Sequence, residues 1–273
     1  MRAADPLMEK LVAACTGRGV DRIIAQKVLS SAKSAMRDWS CVVSDFLTPP
    51  ESAALVATLA QLPRLSAHAW GGYPDAERTA VVCAHEDVAE DTAQLLRLAA
   101  PQFSLLSIAG DFEGGKVAHR DVMGAVLHAG VSRAKIGDIL VEEGVGAQVV
   151  AHADVAAFLE AQLVSVRDVS VLVERRPLEE IRVPERRVKL IQTVEASMRI
   201  DAVVSAGFKI SRSKLATMAK SGLVFLNYTG VKGPAKNVKE GDVVSVRGVG
   251  KLKIAECSMT SKGRYRISME RYI

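Results

Sequence analysis

Apolar residues recur at helical spacing in the first part of the chain and at strand spacing further along. Leu7, Leu11 and Cys15 are four residues apart, and similar spacing returns near residue 55. A repeat of three to four residues places apolar side chains on one face of a helix. The pattern predicts helices over residues 7–62, within a helical N-terminal region that we assign to residues 1–68.

Short apolar runs and amphipathic segments alternate in the next part of the chain. The runs predict strands at 79–83, 103–109, 136–141, 147–151 and 169–173, and the periodic segments predict helices at 121–128 and 154–163. From residue 103 the order is βαββαβ, the ferredoxin-like arrangement that RNA-recognition motifs share. We therefore expect an α+β domain over residues 69–180. The run at 147–151 has no aromatic residue for base stacking, so this domain either contacts the RNA backbone or has a structural or protein-contacting role.

The last third predicts two short helices followed by a small strand-rich cap, in a domain over residues 189–273 that follows a charged connector at 177–184. Ser211 is placed to cap a helix that runs to Lys220, and Gly222 suits a left-handed residue after its end. Leu215 and Met218 point to the core side of that helix. Strand alternation after Gly222 is expected to turn Phe225 inward.

Charge divides the chain into an acidic body and a basic end. Residues 181–273 carry 19 Lys and Arg against 7 Asp and Glu, a net charge of +12, whereas residues 1–180 carry −7. Such an end attracts polyanions, and counterion release weakens this attraction as salt rises. The helix that carries Leu215 is too short for a lipid interface, so nucleic acid is the favoured partner. No apolar run approaches a membrane span of about 20 residues.

Basic side chains gather around the capped helix of the last domain. Arg212 and Lys220 share one of its faces, and its N-terminus is a favoured place for phosphate oxygens. Five further cations are expected to reach the same RNA backbone. They are Arg199, Lys209 and Lys214 near the helix, and Lys232 and Lys236 in a Gly-Pro loop. Few aromatics accompany them, which favours recognition of structured RNA by shape and phosphate contacts over base reading.

Signatures of catalysis and cofactor binding are incomplete. Residues 110–117 have the spacing of a phosphate-binding loop, but Val117 stands where a magnesium-binding hydroxyl is needed. The triplet 119–121 lacks the other kinase motifs, and we expect Asp121 to cap a helix. The cysteines contain no CxxC pair and the histidines no metal spacing. We expect no metal, no cofactor and no catalytic residue.

Three segments together resemble one family. The block from Met198-Arg199-Ile200-Asp201 through Arg247-Gly248 resembles the RNA-binding domain of ribosomal protein S-four, the alpha-L motif. Gly71-Gly72-Tyr73 with Ala76-Glu77-Arg78 looks like the first signature of the YlmH-like family, also called photosystem II S-four-domain proteins. Residues 119–125, 130–133 and 136–139 look like its second. The resemblance covers about residues 45–273.

This resemblance implies a non-catalytic binder of rRNA or tRNA at the large ribosomal subunit, in ribosome-associated quality control. It carries RNA contact to the positions that match the motif: Arg199, Ser211, Arg212, Ser213, Lys214, Lys220, Asn227, Lys232 and Arg247. Arg199-Ile200-Asp201 also resembles the catalytic triplet of pseudouridine synthases, but it stands where the S-four domain begins its first helix. Asp201 is therefore expected in a salt bridge or a cap.

Two other functions stay open at this point. An RNA-modifying enzyme, of the pseudouridine synthase or methyltransferase type, would use the basic domain as a guide. A scaffold would instead bind proteins through the acidic body. We expect a monomer without a membrane span, in the cytoplasm of a bacterium or in the chloroplast stroma.

Overall fold

The computed structural model describes residues 5–112, 117–142, 144–184, 188–231, 233 and 235–272. The chain forms two compact units, Met1–Pro184 and Glu185–Ile273. Each unit has hydrophobic clusters of its own.

Four α-helices and a small sheet open the described part of the first unit. The elements are α1 (Pro6–Thr16), α2 (Arg22–Asp38), β1 (Val42–Val43), α3 (Pro49–Leu59), β2 (Leu65–Trp70), β3 (Ala80–His85) and α4 (Thr92–Ala99). The predicted helices and the strand near residue 80 are confirmed, with Leu11 and Cys15 buried and Leu7 exposed. Strand β2 was not expected. It pairs with β3 along its length, so the predicted domain boundary between residues 68 and 69 falls inside it.

The predicted βαββαβ order is confirmed in the middle of the chain. Its elements are β4 (Phe103–Gly110), α5 (His119–His128), β5 (Ile136–Glu142), β6 (Gly146–His152), α6 (Ala153–Gln162), β7 (Ser165–Val166) and β8 (Val169–Arg176). The antiparallel sheet runs β5-β6-β4-β8-β7, in which the first four strands have the ferredoxin-like order. Asp121 caps α5 as expected, by accepting a hydrogen bond from the backbone N–H of Ala118 at 2.9 Å.

Both faces of this sheet are packed. On one face Leu106 and Val149 belong to a cluster with the helices α5 and α6. On the other face Leu105 and Val150 belong to a cluster that includes Phe46 and residues of β3. The connector adds Leu178 and Ile181 to this second cluster. The central strands therefore offer no open face of the kind on which RNA-recognition motifs stack bases.

Hydrogen bonds join the residues of the two family signatures within the first unit. The guanidinium of Arg78 donates hydrogen bonds to the carbonyl oxygens of Ile136, at 3.0 Å, and Phe46, at 3.1 Å. The carboxylate of Asp138 accepts from the Tyr73 hydroxyl at 2.7 Å and from the Arg78 backbone N–H at 2.9 Å. Signature residues that are about 60 positions apart are thus hydrogen-bonded partners.

The second unit is a six-stranded antiparallel sheet with two helices on one face. Its elements are β9 (Val188–Glu195), α7 (Ile200–Phe208), α8 (Arg212–Lys220), β10 (Val224–Leu226), β11 (Thr229–Gly230), β12 (Val243–Val246), β13 (Gly250–Met259) and β14 (Tyr265–Tyr272). The strand order is β11-β10-β12-β13-β14-β9. Val203 of α7 and Leu215 of α8 pack with Leu252 and Met269 of the sheet.

The expectation that Phe225 turns inward is wrong. Its neighbours Val224 and Leu226 are the buried residues of β10, and Phe225 is half-buried between them. Successive strand residues point to opposite faces, so Phe225 lies on the face away from the helices.

Replacing Gly146 by alanine should destabilise the first unit. The backbone of Gly146 has φ 146°, and a Cβ there would lie 2.0 Å from the carbonyl oxygen of Ile108 on the paired strand. We expect the free energy of unfolding to fall by on the order of 3 kcal/mol, measured by urea unfolding followed by circular dichroism. Gly124→Ala is the control, because a Cβ on this helical residue meets nothing within 4 Å. It should raise stability by about 0.5–1 kcal/mol; equal effects would refute the steric argument.

Candidate RNA interface

A tight corner joins α7 to α8 and holds five of the predicted RNA contacts. Lys209 ends α7 in the left-handed conformation at φ 56°. The hydroxyl of Ser211 then accepts from the backbone N–H of Lys214 at 3.2 Å, which confirms the predicted cap of α8. The hydroxyls of Ser211 and Ser213 lie 3.1 Å apart. Lys209, Ser211, Arg212, Ser213 and Lys214 are all exposed at this corner.

The first arginine of the site is held by an acidic neighbour. Arg199 donates through Nε and Nη2 to the two carboxylate oxygens of Asp201, at 3.0 and 2.9 Å. The hydrogen bond from Arg199 lowers the pKa of Asp201. The expectation that Asp201 serves a salt bridge is therefore confirmed, and this carboxylate is engaged in the fold.

Arg212 also forms an ion pair, in this case with a carboxylate on the sheet. Its Nη2 lies 3.0 Å from Oε2 of Glu195, at the end of β9. The carboxylate side chains of Asp201 and Glu195 are 13% and 14% exposed, whereas Arg199 and Arg212 are 45% and 61% exposed. Each arginine thus covers an anion that balances its charge, and only its outer N–H groups remain for RNA.

Other predicted cations have no acidic partner. Within the part of the chain that the structure describes, Lys209, Lys214, Lys220 and Lys236 are exposed and form no ion pair. The carbonyl oxygen of Lys236 accepts from the backbone N–H of Ile200 at 2.8 Å, which fixes this loop residue beside the N-terminus of α7. Lys232 lies outside the described residues. The surface of the second unit formed by α7, α8 and the corner between them is the helical face. Its unbalanced positive charge therefore comes from lysines.

Two predicted contacts lie away from the helices. The amide of Asn227 is used within the turn after β10: its Nδ2 donates to Asp242 at 2.8 Å, and its Oδ1 accepts from the Val243 backbone at 2.9 Å. This geometry favours a structural role for Asn227. Arg247 places its guanidinium 5.8 Å from the centre of the Phe225 ring, on the outer face of the sheet.

The perturbed titratable groups of the first unit have structural explanations. Burial lowers the pKa of Arg133 to about 10, with Arg78 nearby as a like charge. Burial also lowers the pKa of His152, whose Nε2 lies 2.9 Å from the carbonyl oxygen of Ser44. A neighbouring cavity of about 280 Å³ contains Lys135, which is ion-paired with both Asp45 and Asp154. These groups are engaged in packing and pairing.

A search of the described ranges finds no group of three His, Cys, Asp or Glu residues that could hold a metal ion. The cysteines are all free thiols, two of them buried.

In the part of the chain that the structure covers, no helix combines the length and the apolar content that crossing a membrane requires.

Family models match three successive parts of the chain. Residues 20–88 match the N-terminal domain of YlmH, and residues 102–180 match a model described as "Putative RNA-binding domain in YlmH". Residues 198–244 match the S-four domain and contain the α7–α8 corner. The chain belongs to the YlmH-like family. The family thus covers both units, and its S-four domain coincides with the lysine-bearing helices.

Two relatives extend this comparison. The YlmH-like chain is 29% identical over 252 residues to "Ribosome-associated protein quality control protein P2" of Bacillus subtilis (strain 168), covering 92% of this chain and 95% of that protein. It is 20% identical to the solved structure "Cell division protein ylmH from Streptococcus pneumoniae", with a TM-score of 0.48, covering 59% of this chain and 94% of that one.

Asn227→Ala should lower stability without changing RNA affinity. The substitution removes the hydrogen bond that Asn227 donates to Asp242, a residue that is only 5% exposed. It also leaves the Val243 N–H without its side-chain acceptor. We expect the free energy of unfolding to fall by about 1–3 kcal/mol. Lys220→Ala is the matched control in the same unit, and it should weaken RNA binding while leaving thermal stability unchanged. A loss of affinity in folded Asn227→Ala would instead make Asn227 an RNA contact.

Proposed function

We propose that this YlmH-like protein is a non-catalytic RNA-binding protein that recognises structured rRNA or tRNA through phosphate and shape contacts. The observation that carries the proposal is a set of exposed lysines, Lys214 and Lys220 on the capped helix α8 and Lys209 at the end of α7, that form no ion pair within the described residues. The match to RNA-binding and S-four domains supports it.

The geometry of the helical face favours a folded RNA as its ligand. The face presents a helix N-terminus, hydroxyls at Ser211 and Ser213, and lysines, which are all groups that bind phosphate oxygens. Arg199 and Arg212 are anchored by carboxylates, so they add directed N–H groups more than net charge. Contacts of this kind follow the spacing of phosphates in a helical RNA and do not read base edges.

The likeness to a ribosome-associated quality control protein supports a site of action on the large ribosomal subunit, with tRNA or rRNA as the bound RNA. We place the protein in the bacterial cytoplasm, with the chloroplast stroma as the other compartment where such ribosomes occur, and expect it to act as a monomer. We propose three functional parts, residues 1–68, 69–180 and 189–273, of which the first two share strand β2 and belong to one compact unit. The last provides RNA affinity in this proposal.

The double substitution Lys209→Gln, Lys214→Gln should weaken binding to a hairpin RNA by roughly tenfold at moderate salt, because two phosphate contacts are lost. The slope of log affinity against log salt should become shallower by about one for each lysine. Fluorescence anisotropy over a salt series measures both quantities. The same variant should shift from the large-subunit fractions to the top of a sucrose gradient when lysate ribosomes are separated.

The control for this experiment is Lys10→Gln with Arg18→Gln, which makes the same charge change at two exposed positions of the first unit. It should leave the salt slope unchanged. If both double variants lose affinity equally, the attraction is a property of total charge and the assigned face is wrong.

Absence of catalysis predicts that the protein leaves its RNA chemically unchanged. Incubation of the full-length protein with unmodified tRNA and rRNA, with and without a methyl donor, should give nucleoside digests identical to those without protein. A new modified nucleoside would overturn the non-catalytic assignment. In that case Asp201→Asn would test the pseudouridine synthase type, since Asp201 is the carboxylate of the triplet that resembles it.

A further inference from the structure

The face of the six-stranded sheet that points away from α7 and α8 is a surface that the helical site does not use. Buried residues such as Val224, Val244 and Leu252 alternate with residues that point the other way. Phe225 and Ser245 are among the latter, and both are half-buried. Because α7 and α8 pack only on the inner face, the residues that point outward form a separate surface.

Strand pairing brings distant residues of this face into one row. Phe225 of β10 is directly opposite Ser245 of β12, and Ser245 is opposite Lys251 of β13. The Nζ atom of Lys251 is 5.4 Å from the ring centre of Tyr272 on β14. Neighbouring strands lie about 4.8 Å apart, so the rings of Phe225 and Tyr272 stand roughly 14 Å from each other along the row.

Cations alternate with the aromatic rings on this surface. The guanidinium carbon of Arg247 is 5.8 Å from the Phe225 ring centre, and Lys251 Nζ is 5.5 Å from that of Tyr228. Lys251 thus stands between the rings of Tyr228 and Tyr272. In the adjacent row Lys253 is opposite Glu270, and Arg247 and Lys251 are the cations that lie beside the rings.

We propose that this outer face is a second RNA-binding surface, which takes unpaired nucleotides by stacking bases on Phe225, Tyr228 and Tyr272 while Arg247 and Lys251 bind the phosphates. Alternating aromatic and cationic side chains are the features with which proteins bind single strands, because every base has a π-face and every linkage a charge. The proposal rests on the proposed RNA-binding function, and it adds single-stranded RNA to the structured RNA of the helical face.

Charge complementarity favours RNA over protein as the occupant. Val188 lies opposite Tyr272 at the end of the Lys251 row, and Leu190 lies opposite Glu270 in the adjacent row, so exposed aliphatic surface is present on the edge strand β9. However, the rings are each paired with a cation, an arrangement that attracts a polyanion with flat bases. A protein partner would need to bury Arg247 and Lys251 against matching carboxylates.

The test uses the full-length protein, a fluorescent unstructured oligouridine of about twelve nucleotides and an RNA hairpin. Phe225→Leu with Tyr272→Leu keeps apolar bulk but removes two stacking rings, and it should weaken oligouridine binding by roughly 30-fold or more. Hairpin binding should change little. Arg247→Gln with Lys251→Gln leaves the rings in place and should weaken oligouridine binding while flattening its salt dependence.

Leu190→Ala is the matched control, since it removes an exposed apolar side chain from the same face without removing a ring. It should leave oligouridine affinity unchanged. Thermal unfolding of each variant identifies any that fail to fold. If the double aromatic variant does not fold, Arg247→Gln with Lys251→Gln tests the proposal, because these two side chains lie on the outer face.

The outcomes separate this inference from the proposed function. If Lys209→Gln, Lys214→Gln weakens hairpin binding but neither outer-face variant changes oligouridine binding, the second surface does not exist and the helical site stands. If wild-type protein binds neither RNA, the proposed function fails. Outer-face variants that change self-association or partner binding but not oligouridine affinity would show a protein-binding face and overturn the inference.

Discussion

The two-residue alternation of the six-stranded sheet is the constraint on which both faces of the second unit depend. A shift of one residue in any strand would exchange the residues on its two faces, which would expose Val224 and Leu226 and bury Phe225. Burial of the inner residues against α7 and α8 stabilises the observed register. A β-bulge between Ile254 and Glu256 reverses the alternation within β13, so that Cys257 also faces the core, where it contacts Met198.

The arginines and the lysines of the helical face differ in how their charge is balanced. Arginines that lie over largely buried carboxylates are fixed in place and contribute little net field, whereas the lysines keep their full charge. Because Asp201 and Glu195 are largely buried, loss of either arginine would leave a carboxylate without its compensating charge, and each pair also fixes where its guanidinium group points. In the proposed function, attraction of RNA from solution depends on the lysines, and orientation of the bound backbone depends on the arginines and the capped helix.

Local signals made the helices, the cap at Ser211, the left-handed Gly222 and the βαββαβ order predictable from the sequence, because each depends on residues within a few positions of one another. The ion pair of Arg212 with Glu195 and the row that links Phe225 to Tyr272 join residues far apart in the chain. These contacts depend on strand pairing, which residue spacing alone does not specify. For the same reason Phe225 was assigned to the wrong face, and the single aromatics of the sequence did not predict an aromatic surface.

Both faces of the middle sheet are packed, so its RNA-recognition topology does not lead to base stacking on the strands. The strand β6 lacks aromatics, and its two faces are occupied by Val149 on one side and Val150 on the other. A sheet in this condition can contact RNA only through its edges, loops and helices. The first 180 residues also carry a net charge of −7, which repels phosphates within a Debye length of about 8 Å at physiological salt. In the proposed function, the second unit therefore provides the main RNA affinity. The acidic first unit, in which residues 102–180 match the putative RNA-binding domain, is better suited to contacts with protein or with a limited part of the RNA surface.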